Sequence, residues 1–323
     1  MQWPILVVYL IVGLAILKIA GDWLVGGASQ LAQRFGISPL VVGLTVVAFG
    51  TSAPEVAVSI LAAIKGEFDI AIGNVIGSNT ANLLLILGFS ALLARLNVAL
   101  NLARVDAPVM LVVTLALLAA GKTAGVIERW EGIAFIVALF LYIAMTYWLS
   151  RKESRVVEEE FEESIKPNTR SAGLLLFMIA VGVAGLAGGA QLIVIGASGL
   201  AEMLGVSKAV VGVTVVAIGT SLPELAAAVA AVRQRQPDIA VGNVVGSNIF
   251  NVLSVIGIAA TIRPLYFNPA FLAFDGRIML GATLLVMPML LTRVVMRWQG
   301  ALMLMLYIGY LVWTTLRVTS SAT

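Results

Sequence analysis

Two glutamates, Glu55 and Glu224, lie 169 residues apart in nearly identical apolar surroundings: Gly50-Thr51-Ser52-Ala53-Pro54-Glu55 and Gly219-Thr220-Ser221-Leu222-Pro223-Glu224. A carboxylate inside a long apolar segment is costly and marks a functional site by default. The proline before each one lacks an N–H and clashes with the carbonyl four residues back. The pattern therefore predicts a helix broken at this point, with the carbonyls of the preceding turn, around Ala48 and Ala217, released from the ladder. Backbone groups freed inside a bilayer must find other partners, and a dehydrated cation is one. Thr51, Ser52, Thr220 and Ser221 add hydroxyl oxygens. Two carboxylates brought together carry charge −2, which suits one divalent cation or several monovalent ones. The ligand set is all oxygen, which favours a hard cation. Ca²⁺ accepts about six to eight oxygens in irregular geometry, whereas Mg²⁺ keeps its waters and demands an octahedron. A glutamate neutralised by a buried arginine is the plainer alternative, but no basic residue falls in the segments expected opposite.

A second block recurs at the same spacing: Gly73-Asn74, Gly77-Ser78-Asn79 and Asn82, then Gly242-Asn243, Gly246-Ser247-Asn248 and Asn251. Its glycines are expected to break a helix. Ser78 and Asn82 are four residues apart, as are Ser247 and Asn251, so each pair shares a helix face and is expected to face the glutamate motif. Asn74, Asn79, Asn243 and Asn248 read as packing and interhelical bonding, a common use of small polar residues between membrane helices. Both blocks belong to one duplication: Val41–Gly88 aligns with Val210–Gly257 without a gap, 26 of 48 positions being identical.

The elements that must position these residues follow from composition. Of 323 residues, 60% are hydrophobic and 11% charged, against about 25% charged in an ordinary soluble domain. A membrane helix needs roughly 20 mostly apolar residues. Ten such stretches are legible, at about 4–33, 38–64, 70–93, 105–121, 130–149, 172–203, 207–232, 239–261, 278–292 and 299–317. The first and sixth are long; the fourth and ninth are short. The expected fold is an all-α polytopic membrane protein of ten transmembrane helices. The repeat offset spans five of them, an odd number, so the second copy enters the membrane from the opposite side. Such inverted-topology repeats place substrate at the midplane between the copies. The halves are 1–149 and 172–323, joined by an acidic linker at 150–171. With the N-terminus outside, the inner loops hold 12 Lys and Arg and the outer ones seven. Basic residues favour the cytoplasmic side, so both termini are expected outside and the linker inside the cell membrane. No cleavable signal peptide is evident at Met1–Pro4.

Absences narrow the chemistry. There is no His and no Cys, which excludes disulfides, thiolate zinc sites, cysteine nucleophiles and imidazole acid/base work. A net charge of +3 with scattered basic residues excludes nucleic acid as a partner. Two carboxylates can form a catalytic dyad, but no nucleophile-and-base pattern accompanies them, so the reading is a transporter rather than an enzyme, with no cofactor. Asp69 and Asp238 are expected as helix caps. Glu202, Asp106 and Asp275 are expected at the interface, and Trp3, Trp130, Trp148, Trp298 and Trp313 as interfacial anchors. Asp22 faces Gln191 at the repeat offset and is no part of a symmetric site.

The paired GTSxPE and GNxxGSNxxN blocks resemble the alpha repeats of the cation/calcium exchanger superfamily, most closely its prokaryotic sodium/calcium exchangers, over essentially the whole chain. The resemblance implies four clustered cation sites. Glu55 and Glu224 would bind both Ca²⁺ and Na⁺. Thr51, Thr220 and the carbonyls of Ala48 and Ala217 would coordinate. Ser52, Ser78, Ser221 and Ser247 would serve flanking Na⁺ positions, and Asn82 and Asn251 would complete the middle site. It also implies Na⁺/Ca²⁺ antiport by alternating access, with the first and sixth helices sliding as a bundle, in a protein functional as a monomer. Asn251 stands where the potassium-dependent branch and some archaeal members carry Asp, which argues against K⁺ transport. The proton/calcium branch carries an acid directly within the GNxxG block. Here Gly73-Asn74-Val75-Ile76-Gly77 has none, so proton-coupled exchange ranks second, and a Ca²⁺ channel is a further rival.

Overall fold

The apolar stretches fold as long helices in a computed structural model that describes residues 3–161, 170–206, 211, 215 and 217–321. The first copy supplies α1 (Trp3–Phe35), α2 (Pro39–Thr51), α3 (Ala53–Lys65), α4 (Phe68–Leu93), α5 (Leu102–Lys122) and α6 (Arg129–Phe161). The second supplies α7 (Ala172–Met203), α8 (Ala217–Thr220), α9 (Leu222–Arg233), α10 (Pro237–Ile262), α11 (Pro269–Ala273), α12 (Asp275–Leu291) and α13 (Arg297–Ser321). Among the described residues eight helices are long and apolar enough to cross a membrane, and the bent pair α2–α3 makes a ninth. The expected span at 207–232 lies partly outside the described residues. The expected short fourth span starts earlier than the sequence suggests, because a wide π turn over Leu102–Asp106 extends it. The first twelve residues of the expected linker continue α6 as helix to Phe161; positions 162–169 lie outside the described residues.

Element boundaries recur between the copies. Spans Phe68–Leu93 and Pro237–Ile262, and spans Leu102–Lys122 and Phe271–Leu291, start and end 169 residues apart. Four two-residue strands join the copies at their ends: β1 (Leu96–Asn97) pairs antiparallel with β4 (Val294–Val295), and β2 (Val126–Ile127) with β3 (Leu265–Tyr266).

Helices α1 and α7 pack along each other in opposite directions. Gly27 of α1 meets Leu175, and Leu24, Gly13 and Leu6 meet Gly182, Gly189 and Gly196 in turn. The contacts are backbone-close: a Cβ at Gly189 would stand 3.0 Å from the Gly13 carbonyl oxygen, and one at Gly196 would stand 2.8 Å from that of Leu6. Without a hydrophobic drive between helices in lipid, such small-residue approach is what holds them together.

Helices α4 and α10 occupy the centre. They are 78% and 83% buried, against 17–44% for the other unbent spans. Trp3, Trp130, Trp148, Trp298 and Trp313 point outward and are all exposed.

Candidate functional site

The glutamate motifs fold as expected in outline. In the first copy α2 ends at Thr51, Ser52 leaves helical geometry (φ −81°, ψ 4°), and α3 restarts at a 46° bend with Pro54 in its first turn. In the second, Ser221 takes the same conformation (φ −89°, ψ 2°) between α8 and α9. Proline is tolerated in a first turn because that N–H has no helical partner anyway. Glu55 and Glu224 thus each sit in the first turn of a new helix inside the protein, and both are fully buried, at 0% and 1% exposure.

One detail of the expected break differs. The Ala48 carbonyl is not released: it accepts the Ser52 N–H at 3.0 Å and the Thr51 hydroxyl at 3.3 Å. In the second copy the Ser221 N–H turns instead to the Ile218 carbonyl at 3.1 Å. The Ala48 oxygen thus already accepts two hydrogen bonds, whereas Ala217 stands at the start of the short α8.

The glycine blocks do not break their helices. Both α4 and α10 run through Gly73, Gly77, Gly242 and Gly246. The irregularity comes one turn later, as π turns over Asn82–Ile86 and Asn251–Ile256. Such wide turns cluster at functional sites, and here each one starts on the asparagine singled out by spacing. The glycines serve close approach instead. A Cβ at Gly242 would lie 3.0 Å from the Leu40 carbonyl oxygen, and one at Gly246 would lie 2.6 Å from that of Leu44.

The two copies close one site between them. Ser52 Oγ donates to Glu224 Oε1 across the copies at 3.1 Å, and Ser78 Oγ donates to Glu55 Oε1 at 3.3 Å. Where α4 crosses α10, Asn251 Nδ2 donates to Asn79 Oδ1 at 3.0 Å and Asn79 Nδ2 to the Asn248 carbonyl at 3.2 Å. Behind the glutamates, Asn74 Nδ2 donates to the Glu55 carbonyl at 3.2 Å and Asn243 Nδ2 to that of Glu224 at 3.3 Å. Thr51, Ser52, Ser78, Asn82, Ser221, Ser247 and Asn251 are all buried. Thr220 is half-buried and lines a cavity of about 70 Å³ with Asn74, Gly77, Ser78 and Tyr310.

Six oxygens of the expected ligand residues have no hydrogen-bond partner among the described residues, Glu55 Oε2, Glu224 Oε2, Ser221 Oγ, Ser247 Oγ, Asn82 Oδ1 and Asn251 Oδ1, and neither have Asn82 Nδ2 and Asn248 Oδ1 beside them. A buried polar atom left unpaired costs about 1–3 kcal/mol. A concentration of them is strain unless something binds there. The oxygens are all hard donors, and two belong to carboxylates, a donor set that could hold a hard cation.

The copies are alike in sequence but differ in packing. Gly242, Asn243 and Gly246 are buried, with Gly242 and Gly246 pressed against Leu40–Ala48 of α2, while Gly73, Asn74 and Gly77 are only half-buried. One side of the site is sealed and the other opens into the 70 Å³ cavity.

Other polar residues find partners that spacing did not indicate. Asp106, near the start of α5, is 3% exposed and accepts the Tyr142 hydroxyl at 2.9 Å. Asp275 accepts that of Tyr310 at 2.9 Å in a half-buried setting. No capping bond is made by Asp69, which lies inside the first turn of α4 and instead accepts Asn268 Nδ2 at 3.1 Å. Asp22 stands apart from the site and bonds Gln234. The partners of Asp106 and Asn243 are far away in sequence, so spacing gave no signal for either; position 243 showed only as an identity within the duplicated block.

Comparison with known proteins bears on this geometry. The chain matches the family described as sodium/calcium exchanger protein over residues 5–148 and 174–316. It is 38% identical over 276 residues to inner membrane protein YrbG of Escherichia coli (strain K12), covering 84% of each chain. Against sodium/calcium exchanger MaX1 of Methanosarcina acetivorans it is 32% identical over 338 residues, covering 94% of this chain and 96% of that one. A structure of the sodium-calcium exchanger NCX_Mj soaked with zero Na⁺ and Ca²⁺ matches with a TM-score of 0.82 at 30% identity, covering 97% of this chain and 100% of that one. The chain belongs to the sodium/calcium exchanger protein family. That is a family of multi-pass membrane transporters, not of enzymes.

Proposed function

We propose that this protein exchanges Na⁺ for Ca²⁺ across the cell membrane by alternating access, without K⁺ and without a cofactor. The observation that carries the reading is the set of six unpartnered buried oxygens around Glu55 and Glu224. Both ions are its substrates. They compete for Glu55, Glu224, Thr51, Thr220, Ser52, Ser78, Ser221, Ser247, Asn82 and Asn251, with the carbonyls of Ala48 and Ala217 joining in the conformation that exposes them. Competition for shared ligands prevents joint occupancy. The cost of carrying an empty −2 site through a low-dielectric closed state then couples the two fluxes.

Ten spans arranged as two inverted halves supply the two access states. The antiparallel course of α1 and α7, the recurring boundaries and the reciprocal strand pairs support that arrangement. The basic-residue bias supports both termini outside and the 150–171 linker inside. One chain contains both glutamates and every proposed ligand, which supports function as a monomer.

The test is Ca²⁺ uptake by Na⁺-loaded proteoliposomes with K⁺ absent and the proton gradient collapsed. Uptake should require internal Na⁺. Uptake that ignores internal Na⁺ and follows an imposed proton gradient would establish proton-coupled exchange instead, and conductive uptake with no counter-ion would establish a channel.

A further inference from the structure

Asn243 is fully buried and uses both ends of its side chain at the site. Nδ2 donates to the Glu224 carbonyl at 3.3 Å, and Oδ1 accepts the Thr51 hydroxyl at 3.2 Å. The second bond crosses from α10 to α2 and joins the copies on the sealed side, where Gly242 and Gly246 press against Leu40–Ala48. Asn74, at the same place in the other copy, makes the first of these bonds, to the Glu55 carbonyl at 3.2 Å, and another to Ser59 Oγ at 3.0 Å. Beside it lies the 70 Å³ cavity, which it lines together with Thr220, the counterpart of Thr51.

We propose that Asn243 and Asn74 are positioning residues that hold opposite access states: Asn243 clasps Thr51 while the α2 side is sealed, and Asn74 clasps Thr220 in the mirror state, when Asn243 has let go. The inference rests on the alternating-access reading. The chemistry suits it. A threonine hydroxyl has one proton and two lone pairs. When its proton goes to an asparagine oxygen, its lone pairs are turned away from that asparagine and remain free for a cation. The clasp therefore does two things with one bond: it closes a side and orients a ligand. The Thr51 proton also reaches the Ala48 carbonyl, at 3.3 Å, so release from Asn243 leaves it an acceptor and the switch costs little.

Because the chain has no native cysteine, single thiols report the two sides cleanly. Leu40→Cys probes the sealed side and Thr314→Cys the open cavity. Each is labelled in proteoliposomes without transported ions, with a polar thiol reagent on both faces. The Thr314→Cys protein should react fast and the Leu40→Cys protein slowly. Adding Asn243→Ala should raise the rate at Leu40→Cys about three- to tenfold, the worth of one net hydrogen bond, and lower it at Thr314→Cys. Asn74→Ala should move both rates the other way. Thr51→Val should reproduce Asn243→Ala, and Thr51→Ser, which keeps the hydroxyl, should not; this pair carries the test if Asn243→Ala fails to fold. Unchanged rates at both thiols, or equal rises at both, would overturn the proposal. The labelling needs no ion flux, so a shift without Na⁺-dependent Ca²⁺ uptake would sink the exchange reading and leave the clasp standing.

Discussion

Gly246→Ala is the most direct probe of the sealed side. The added methyl would fall 2.6 Å from the Leu44 carbonyl oxygen, 2.8 Å from Leu44 Cα and 2.9 Å from Ala48 Cβ. None of these atoms is the free end of a flexible side chain, so relief requires α2 to move as a body. Overpacking of this kind costs about 1–3 kcal/mol. At about 1.4 kcal/mol per factor of ten, the sealed conformation should lose roughly five- to 140-fold in population relative to any state in which α2 has withdrawn. The control is Gly77→Ala, at the matching position of the other copy, which is half-buried where Gly246 is buried. There the change should be neutral or raise stability by about 0.5–1 kcal/mol, because alanine is the better helix residue. Thermal unfolding of the ion-free protein in detergent compares the two. Gly246→Ala should melt several degrees lower and Gly77→Ala no lower than the parent, yet both should slow exchange, since each methyl obstructs one of the two closures. Equal melting shifts, or a larger loss at Gly77→Ala, would refute the asymmetry argument.

Other outcomes follow from the same geometry. Glu55→Gln and Glu224→Gln keep shape and remove half the site charge, so each should abolish Ca²⁺ flux while the protein remains folded; normal flux in vesicles from either variant would remove the site assignment. Tyr142→Phe takes a hydroxyl from the buried Asp106 and should cost about 1.5–3 kcal/mol, whereas Tyr310→Phe should cost less because Asp275 is half-buried; chemical or thermal denaturation of the pair checks the order. Gly189→Leu would drive a side chain into Gly13, Ile16 and Leu17 of α1 and should stop exchange more completely than it lowers Ca²⁺ binding, which flux and isothermal titration measure separately.

The candidate site was legible as a pattern because it is written twice. Duplicated Glu, Ser, Thr and Asn residues in apolar context are expensive, and the structure links Ser52 to Glu224, Ser78 to Glu55 and Thr51 to Asn243. Among the described residues, spans were legible to within a few residues because hydropathy alone sets them; the exception is α6, which continues as helix through a charged stretch to Phe161. Three things were not. Glycine suggested helix breaks at 73–77 and 242–246, but both helices run through, and at 242–246 the backbone of α2 occupies the space. The bond from Tyr142 to Asp106 left no trace in the spacing, because the two residues stand 36 apart on different helices. The difference between the sealed and open sides is invisible in principle, since two nearly identical motifs adopt it at once and a sequence carries no information about which copy is closed.

The seam between α1 and α7 has a mechanical consequence. Where interlocked side chains meet, a helix can travel only by leaping from one notch to the next, and each leap has its own barrier. Here carbonyls of α1 face the bare backbone at Gly182, Gly189 and Gly196, which recur every seven residues, a spacing of about 10 Å along a helix. Side chains of α1 seat in the same notches, Leu24 at Gly182, Ile16 at Gly189 and Leu10 at Gly196. If α1 and α7 slide in the proposed exchange cycle, a full step along this track would be one glycine spacing, and any side chain added at a notch would act as a stop.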